Sequence, residues 1–119
     1  MAVFSVGGLA SGLDTSAIVP LRLSPRDTPL SVIGHEFGHL FLAYVSVEDE
    51  LGRRPMLGFQ SAHWAFTFNS EASLVEGNRI RDNGPGTSPR FTTVGVTEGY
   101  APLDQYLMGF RGPDEVPPT

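Results

Sequence analysis

The chain has 119 residues, of which 40% are hydrophobic, and its formal net charge is −5. An acidic chain without a run of lysine or arginine lacks the basic patch that nucleic-acid binding requires. The absence of cysteine excludes disulfides and cysteine-ligated zinc. The length suffices for one modest core, so we expect a single domain over residues 1–119, either whole or as a piece of a longer chain.

The N-terminal residues carry weak structural signals. Residues 2–6 can form an edge strand, which would hold an extended peptide by main-chain hydrogen bonds, and residues 7–25 are expected to form a long loop. No basic leader and no run of 18 apolar residues is present, so neither a signal peptide nor a membrane span is predicted. Secretion is expected only as part of a longer precursor whose signal lies upstream.

The main predicted helix covers residues 30–47, with Thr28 as N-cap and Pro29 at the first helical position. Apolar residues occupy nearly its whole circumference, which is typical of a buried helix. The polar side chains in its middle are His35, Glu36 and His39. Buried polar groups need partners, and one metal ion with a water molecule would satisfy all three.

Residues 35–39 form the pentapeptide HEFGH. Positions i and i+4 are neighbours on a helix surface, so His35 and His39 can both present a nitrogen to one metal ion. Glu36 is rotated by about 100° from His35, which suits it to a water molecule rather than to the metal. The alternative is a pair of core histidines that are merely hydrogen-bonded. Gly34 and Gly38 are poor helix formers, and their presence beside the histidines suggests that another backbone or a substrate passes close.

A third metal ligand is needed, and His63 is the remaining histidine. It opens a predicted strand over residues 63–68, in which Trp64, Phe66 and Phe68 share one face and His63 lies on the other. His63 is therefore a candidate ligand, although a surface histidine on a half-exposed strand has the same pattern.

Acidic residues compete for the role of third ligand. Residues 71–76 can form a short helix closed by Gly77 and Asn78, which presents Glu76, or less favourably Glu71, as a carboxylate ligand. Glu76 could instead contact the second nitrogen of a histidine ligand, or be a solvated acid on a surface turn.

The C-terminal part predicts a strand over residues 91–96 after a turn at residues 83–86, and a helix with Pro102 at its first position and Gly109 just past its end. Asp104 is a further candidate, either as a ligand or as a partner of one. Three other residues have a functional alternative to plain core packing, namely Tyr100 or Tyr106 as a donor to a substrate oxyanion and Met108 beneath the metal.

Residues 32–44 resemble the active-site helix of the HExxH zinc metallopeptidases, the zincins. The segments 63–64, 75–78 and 102–109 look like those of uncharacterised bacterial secreted metallopeptidase domains. The longer metzincin pattern requires glycine and histidine where this chain has Leu42 and Val45. The third ligand must therefore lie beyond the helix.

The sequence and this resemblance together predict a small α+β zincin-like domain, in which one long buried active-site helix packs on a short β-sheet and a C-terminal helix follows. The resemblance implies a zinc endopeptidase acting on peptide or protein substrates, with His35, His39 and His63 binding Zn²⁺ and Glu36 as general base. The alternative is a non-catalytic domain in which the metal is a structural staple. Specificity and oligomeric state are not predicted.

Overall fold

The computed structural model describes residues 28–118. By its internal contacts the chain divides into two units, residues 1–37 and residues 38–119. The predicted strand at residues 2–6 and the loop at residues 7–25 lie outside the described residues. In the described part, no helix is long and apolar enough to cross a membrane.

Helix α1 covers Pro29–Gly38, and all of it but Gly38 belongs to the first unit. Its start is capped as the sequence predicted. The Ser31 backbone N–H donates to Thr28 Oγ1 at 3.2 Å, and the Thr28 backbone N–H donates to Ser31 Oγ at 2.8 Å. This reciprocal pair satisfies donors that a helix start would otherwise leave without partners.

The prediction of one long buried helix is wrong. Helix α1 has ten residues, and the predicted span continued to residue 47. The Phe41 and Leu42 backbone N–H groups both donate to the Gly38 carbonyl at 2.9 Å, and Ala43 then takes a φ of 60°. A residue in the left-handed region is a common way to end a helix. Many of the apolar residues that suggested burial are exposed, including Leu30, Phe37, Leu40, Tyr44 and Val45.

The sheet is a two-stranded antiparallel hairpin of β1, Asn78–Asp82, and β2, Phe91–Val96. The predicted strand at residues 91–96 is confirmed, whereas β1 was not predicted. The pairing runs from Asn78 opposite Val96 to Asp82 opposite Phe91, with an irregularity between Arg79 and Ile80. Most of β2 is exposed, so the hairpin lacks the buried face that the predicted short sheet would have.

The predicted strand at residues 63–68 is also wrong. Trp64 forms one isolated bridge with Leu57, and the Phe68 N–H then turns back to the Ala65 carbonyl at 3.0 Å. Phe66 is 72% exposed while Trp64 is 2% exposed, so the two do not share a buried face. The chain forms a turn here instead of the predicted strand with alternating buried and exposed side chains.

The predicted short helix at residues 71–76 is absent, because this stretch is a series of turns. Glu71, Ala72 and Glu76 have φ values of 53°, 58° and 57°. Left-handed backbone at non-glycine residues costs energy, so it persists only where surrounding contacts hold it. The Gly77 N–H donates to the Ser73 carbonyl and the Leu74 N–H to the Gly99 carbonyl, which are two such contacts.

The core of the second unit is built around Leu42, Ala43, Trp64 and Val75, all of them buried. Helix α2, Pro102–Leu107, packs Leu103 and Leu107 against it. This C-terminal helix follows the prediction closely, since Pro102 opens it and Gly109, with a φ of +81°, follows its C-cap. Other partly buried residues also contact the core, namely Met56, Leu57, Phe68, Tyr100 and Met108.

Candidate metal centre

His35 and His39 are one helical turn apart in sequence. His35 lies in the last turn of α1 and is buried, and His39 follows directly after its final residue, Gly38. The Leu42 N–H donates to the Gly38 carbonyl, which is the helical i to i−4 bond, so the backbone around His39 keeps helical geometry past the end of α1. The two imidazoles therefore keep the spacing that the pentapeptide predicted.

His63 reaches the candidate centre from an irregular segment. It is 7% exposed, and the ring centroids of His39 and His63 are 4.9 Å apart in an edge-to-face arrangement. The Gly58 N–H donates to the His63 carbonyl at 2.8 Å, and the Trp64 N–H donates to the Val75 carbonyl at 3.3 Å. Backbone bonds on both sides thus fix the chain where it carries the ring.

One ring nitrogen each from His35, His39 and His63 lie within 4.8 Å of one another. These three residues could hold a metal ion. Nitrogens that share one zinc in tetrahedral geometry are about 3.3 Å apart, so modest side-chain rotation would close the arrangement. Three imidazoles suit zinc and several other divalent metals, so the donor set does not identify the ion.

The Phe59 carbonyl orients the His63 ring. His63 Nδ1 lies 2.9 Å from the Phe59 carbonyl oxygen. Because a carbonyl only accepts, Nδ1 must carry the proton, and Nε2 of the neutral ring then carries the lone pair that a metal requires. This is the usual arrangement behind a histidine ligand. A backbone carbonyl has no sequence signature, so sequence reasoning could not have found it.

The structure does not bring the acidic candidates into the group of three histidines. Glu71 accepts hydrogen bonds from Arg79 Nε at 3.0 Å and from Asn69 Nδ2 at 2.9 Å. Glu76 Oε2 lies 4.0 Å from His63 Nδ1, which is beyond hydrogen-bond distance, and the same Nδ1 faces the Phe59 carbonyl. Asp104 accepts hydrogen bonds from other residues, among them Trp64 and Ala101.

Asp104 is 1% exposed and accepts hydrogen bonds from three parts of the chain. Its Oδ1 accepts from the Trp64 indole at 3.1 Å, its Oδ2 accepts from the Ala101 backbone N–H at 2.8 Å, and the Ser73 hydroxyl also donates to it. Burial raises the pKa of Asp104 above its ordinary value, against the lowering effect of these bonds. Burial, together with the charge of Asp104, also raises the pKa of Tyr100.

Four further residues have a predicted functional role, namely Glu36, Tyr100, Tyr106 and Met108. Glu36 is partly buried on α1, next to His35. Tyr100 and Met108 pack against the core of the second unit, while Tyr106 is 41% exposed. Core packing thus accounts for the positions of Tyr100 and Met108.

Gly38 is needed because neighbouring side chains press against the backbone there. A Cβ at this position would lie 3.0 Å from Val75 Cγ2 and 3.4 Å from Tyr100 Cε1. The sequence predicted a close approach of another backbone or a substrate, and the close neighbours are instead side chains of the core. Gly38, which precedes His39, therefore packs against Val75, which precedes Glu76.

A separate open groove of about 690 Å³ lies between the 66–69 turn and the hairpin. Its apolar lining includes Phe66, Phe68, Ile80 and Phe91. None of the three histidines lines it, so it is distinct from the candidate metal centre.

Comparisons with protein-family models, with curated proteins and with solved structures gave no match to this chain.

Proposed function

We propose that this chain is a zinc-dependent endopeptidase domain that uses the HExxH pentapeptide at residues 35–39. The observation that carries the proposal is the approach of one nitrogen each of His35, His39 and His63 to within 4.8 Å of one another. Two of these histidines belong to a pentapeptide that also contains Glu36. A purely structural site has no need of a carboxylate at that position, whereas hydrolysis needs a base beside the water.

The proposed roles follow from the chemistry of each group. His35, His39 and His63 hold the ion, and the Phe59 carbonyl keeps the His63 proton on Nδ1. Bound zinc would supply the Lewis acid that activates water and polarises a peptide carbonyl. Glu36 accepts the proton that the water loses and can pass it to the departing amine. Peptides or proteins are the proposed substrates.

Metal content tests the ligand set. We expect one zinc per chain in the wild-type protein by elemental analysis, and an affinity lowered by more than about 100-fold in His63→Ala, because losing a ligand costs more than losing a ligand's hydrogen-bond partner. Phe59→Ala is the matched control, since it removes the ring whose centroid is 6.0 Å from that of His63 but keeps the carbonyl. Equal zinc affinity in the wild type and in His63→Ala would contradict the ligand set.

Hydrolysis tests the role of Glu36. The zinc-loaded wild type should cleave members of a mixed peptide library, with products read by mass spectrometry, and Glu36→Gln should keep zinc but lose cleavage by at least about 100-fold. Glu48→Gln is the control, because it makes the same change on an exposed side chain near Arg54. If Glu36→Gln lost zinc, Glu36 would be a ligand and the proposed mechanism would be wrong.

A structural metal site is the second candidate. It is favoured by the lack of regular secondary structure around His63, because a metal bound there would hold residues that no strand or helix holds. The two candidates differ in their outcomes. A zinc-loaded protein that cleaves no library peptide, and whose melting temperature falls sharply on chelation, would support the structural site against the peptidase.

A further inference from the structure

Asp104 is a buried carboxylate to which the proposed chemistry assigns no role. A carboxylate that is 1% exposed is costly unless it is well hydrogen-bonded, and the three donors to Asp104 supply those bonds. Capping α2 needs only one of them, the Ala101 N–H. The other two donors, Trp64 and Ser73, come from the segment that contains His63 and Glu76.

The bond to Trp64 bears directly on His63, because the two residues are adjacent in sequence. Trp64 forms a β-bridge with Leu57, so the chain is locally extended there. In extended chain, successive side chains point to opposite sides. When the indole is held on one side by Asp104 and by the core, the imidazole is held on the other side, towards His39.

The bond to Ser73 bears on the turn that ends at Glu76. Ser73 Oγ also accepts from the Val75 backbone N–H at 3.2 Å, and the Gly77 N–H donates to the Ser73 carbonyl. This turn places Glu76 Oε2 4.0 Å from His63 Nδ1. One carboxylate therefore connects the residue next to His63 with the turn that brings Glu76 to it.

We propose that Asp104 is a positioning residue of the candidate metal centre, which sets the orientation of His63 by holding the Trp64 indole and the Ser73 turn. The inference rests on the metal-binding part of the proposed function and is independent of hydrolysis. An amide cannot replace the carboxylate here, because its NH₂ group would face at least one of the three donors.

Two variants test this inference at different ends of one hydrogen bond. Asp104→Asn changes the acceptor, and Trp64→Phe removes the indole N–H while keeping an aromatic ring in the core. Leu107→Ala is the matched control, because Leu107 packs against the same core without a bond to Asp104, Trp64 or Ser73 among those described. Melting temperatures of all three variants measure the loss of stability for comparison.

Cobalt binding is the first readout, followed by the visible absorption of the bound ion. We expect Asp104→Asn and Trp64→Phe to bind cobalt about 10-fold more weakly than the wild type, at the lower end of the effect of losing a ligand's supporting bond. Their absorption band should also shift or change in intensity, since it reports ligand geometry. Leu107→Ala should lose stability but keep the wild-type band.

The protonation pattern of the His63 ring is the second readout and needs no metal. Long-range ¹H–¹⁵N spectra of the metal-free protein, at a pH where the imidazoles are neutral, should show a single Nδ1-protonated form of His63 in the wild type and in Leu107→Ala. Both forms should appear in Asp104→Asn and Trp64→Phe. Unchanged His63 signals in both variants would overturn the inference. A wild type that bound no cobalt would instead refute the proposed metal centre, while the His63 signals would still decide the role of Asp104.

Discussion

The β1–β2 hairpin and the segment from Met56 to Glu76 differ in how they are held. The hairpin has a regular antiparallel register, yet Phe91 is 56% and Val94 45% exposed. The segment has isolated bridges and turns, yet Trp64 and Val75 are almost completely buried. Besides local turn bonds, it has hydrogen bonds between residues far apart in sequence, as between Trp64 and Asp104.

This difference shows that regular structure and burial are separate properties in this chain. A ladder of backbone bonds defines the hairpin locally, whereas core packing and long-range bonds define the irregular segment. His63 is on the irregular segment. The candidate metal centre thus depends on a segment whose conformation is determined by contacts with distant residues.

Removing the largest buried ring should test this comparison most strongly. Trp64→Ala should lower the free energy of unfolding by about 3 to 5 kcal/mol, since it leaves a cavity and also removes a donor to Asp104. The matched change in the hairpin, Phe91→Ala, should cost much less, because most of that ring is in solvent. Urea denaturation followed by circular dichroism measures both. Equal losses would mean that the hairpin is as important to stability as the core.

Two glycines give a smaller and more local test. A Cβ at Gly77 would overlap Ser70 Oγ and would lie 2.8 Å from the Ser73 backbone nitrogen, which cannot move without disturbing the turn. Gly77→Ala should therefore destabilise the protein by about 1 to 3 kcal/mol. It should also weaken cobalt binding, because the turn places Glu76 near His63.

Gly95→Ala is the corresponding change in the hairpin. The nearest atom there is Glu98 Oε1 at 2.6 Å, which belongs to an exposed side chain paired with Arg79 at 2.8 Å. Moving this side chain weakens at most a surface ion pair, which contributes little to stability. Stability should stay within about 0.5 kcal/mol of the wild type, with cobalt binding unchanged. A large loss for Gly95→Ala, or none for Gly77→Ala, would reverse the comparison.

The pH dependence of stability should give the smallest effect, with opposite signs in the two regions. Burial raises the pKa of Asp104 above 3.8, so its contribution to stability is present below that value and is lost as the pH rises through the folded-state pKa. The hydrogen bond from Arg90 lowers the pKa of Asp82, so its contribution is present above 3.8 and is lost as the pH falls.

Urea denaturation between about pH 3 and pH 7, with a chelator present, measures both slopes. Relative to the wild type, Asp104→Asn should remove a decline of stability towards higher pH, and Asp82→Asn should remove a decline towards lower pH. If Asp104→Asn and Asp82→Asn changed the pH slope of stability in the same direction, the explanation of the two pKa shifts would be wrong. That explanation is burial for Asp104 and the bond from Arg90 for Asp82.

Features with a local cause could be predicted from the sequence. The Thr28 cap, the start of α2 at Pro102, the turn at Gly109 and the strand Phe91–Val96 each depend on a few neighbouring residues. The approach of His35 to His39 is of the same kind, because helix spacing alone sets it. His63 was one of several candidates for the third position, and the structure brings it to the other two histidines.

The failed predictions concern long-range contacts. The apolar residues after Gly38 suggested a continuing helix, but the chain turns at Ala43, where Leu42 and Ala43 enter the core. The alternation at residues 63–68 suggested a strand, but Asn78 Nδ2 donates to the Phe66 carbonyl across a turn. Periodicity describes which faces could be buried, and it does not describe which distant residue competes for the backbone.

The hydrogen bond between His63 and the Phe59 carbonyl has a consequence for how this chain could vary. Every amino acid supplies a carbonyl, and the Phe59 side chain is 65% exposed. Position 59 is therefore free to accept many residues without changing which nitrogen of His63 holds the proton. Variation among related chains would leave no trace of this contact, so a group that supports the candidate centre would escape any search based on side-chain identity.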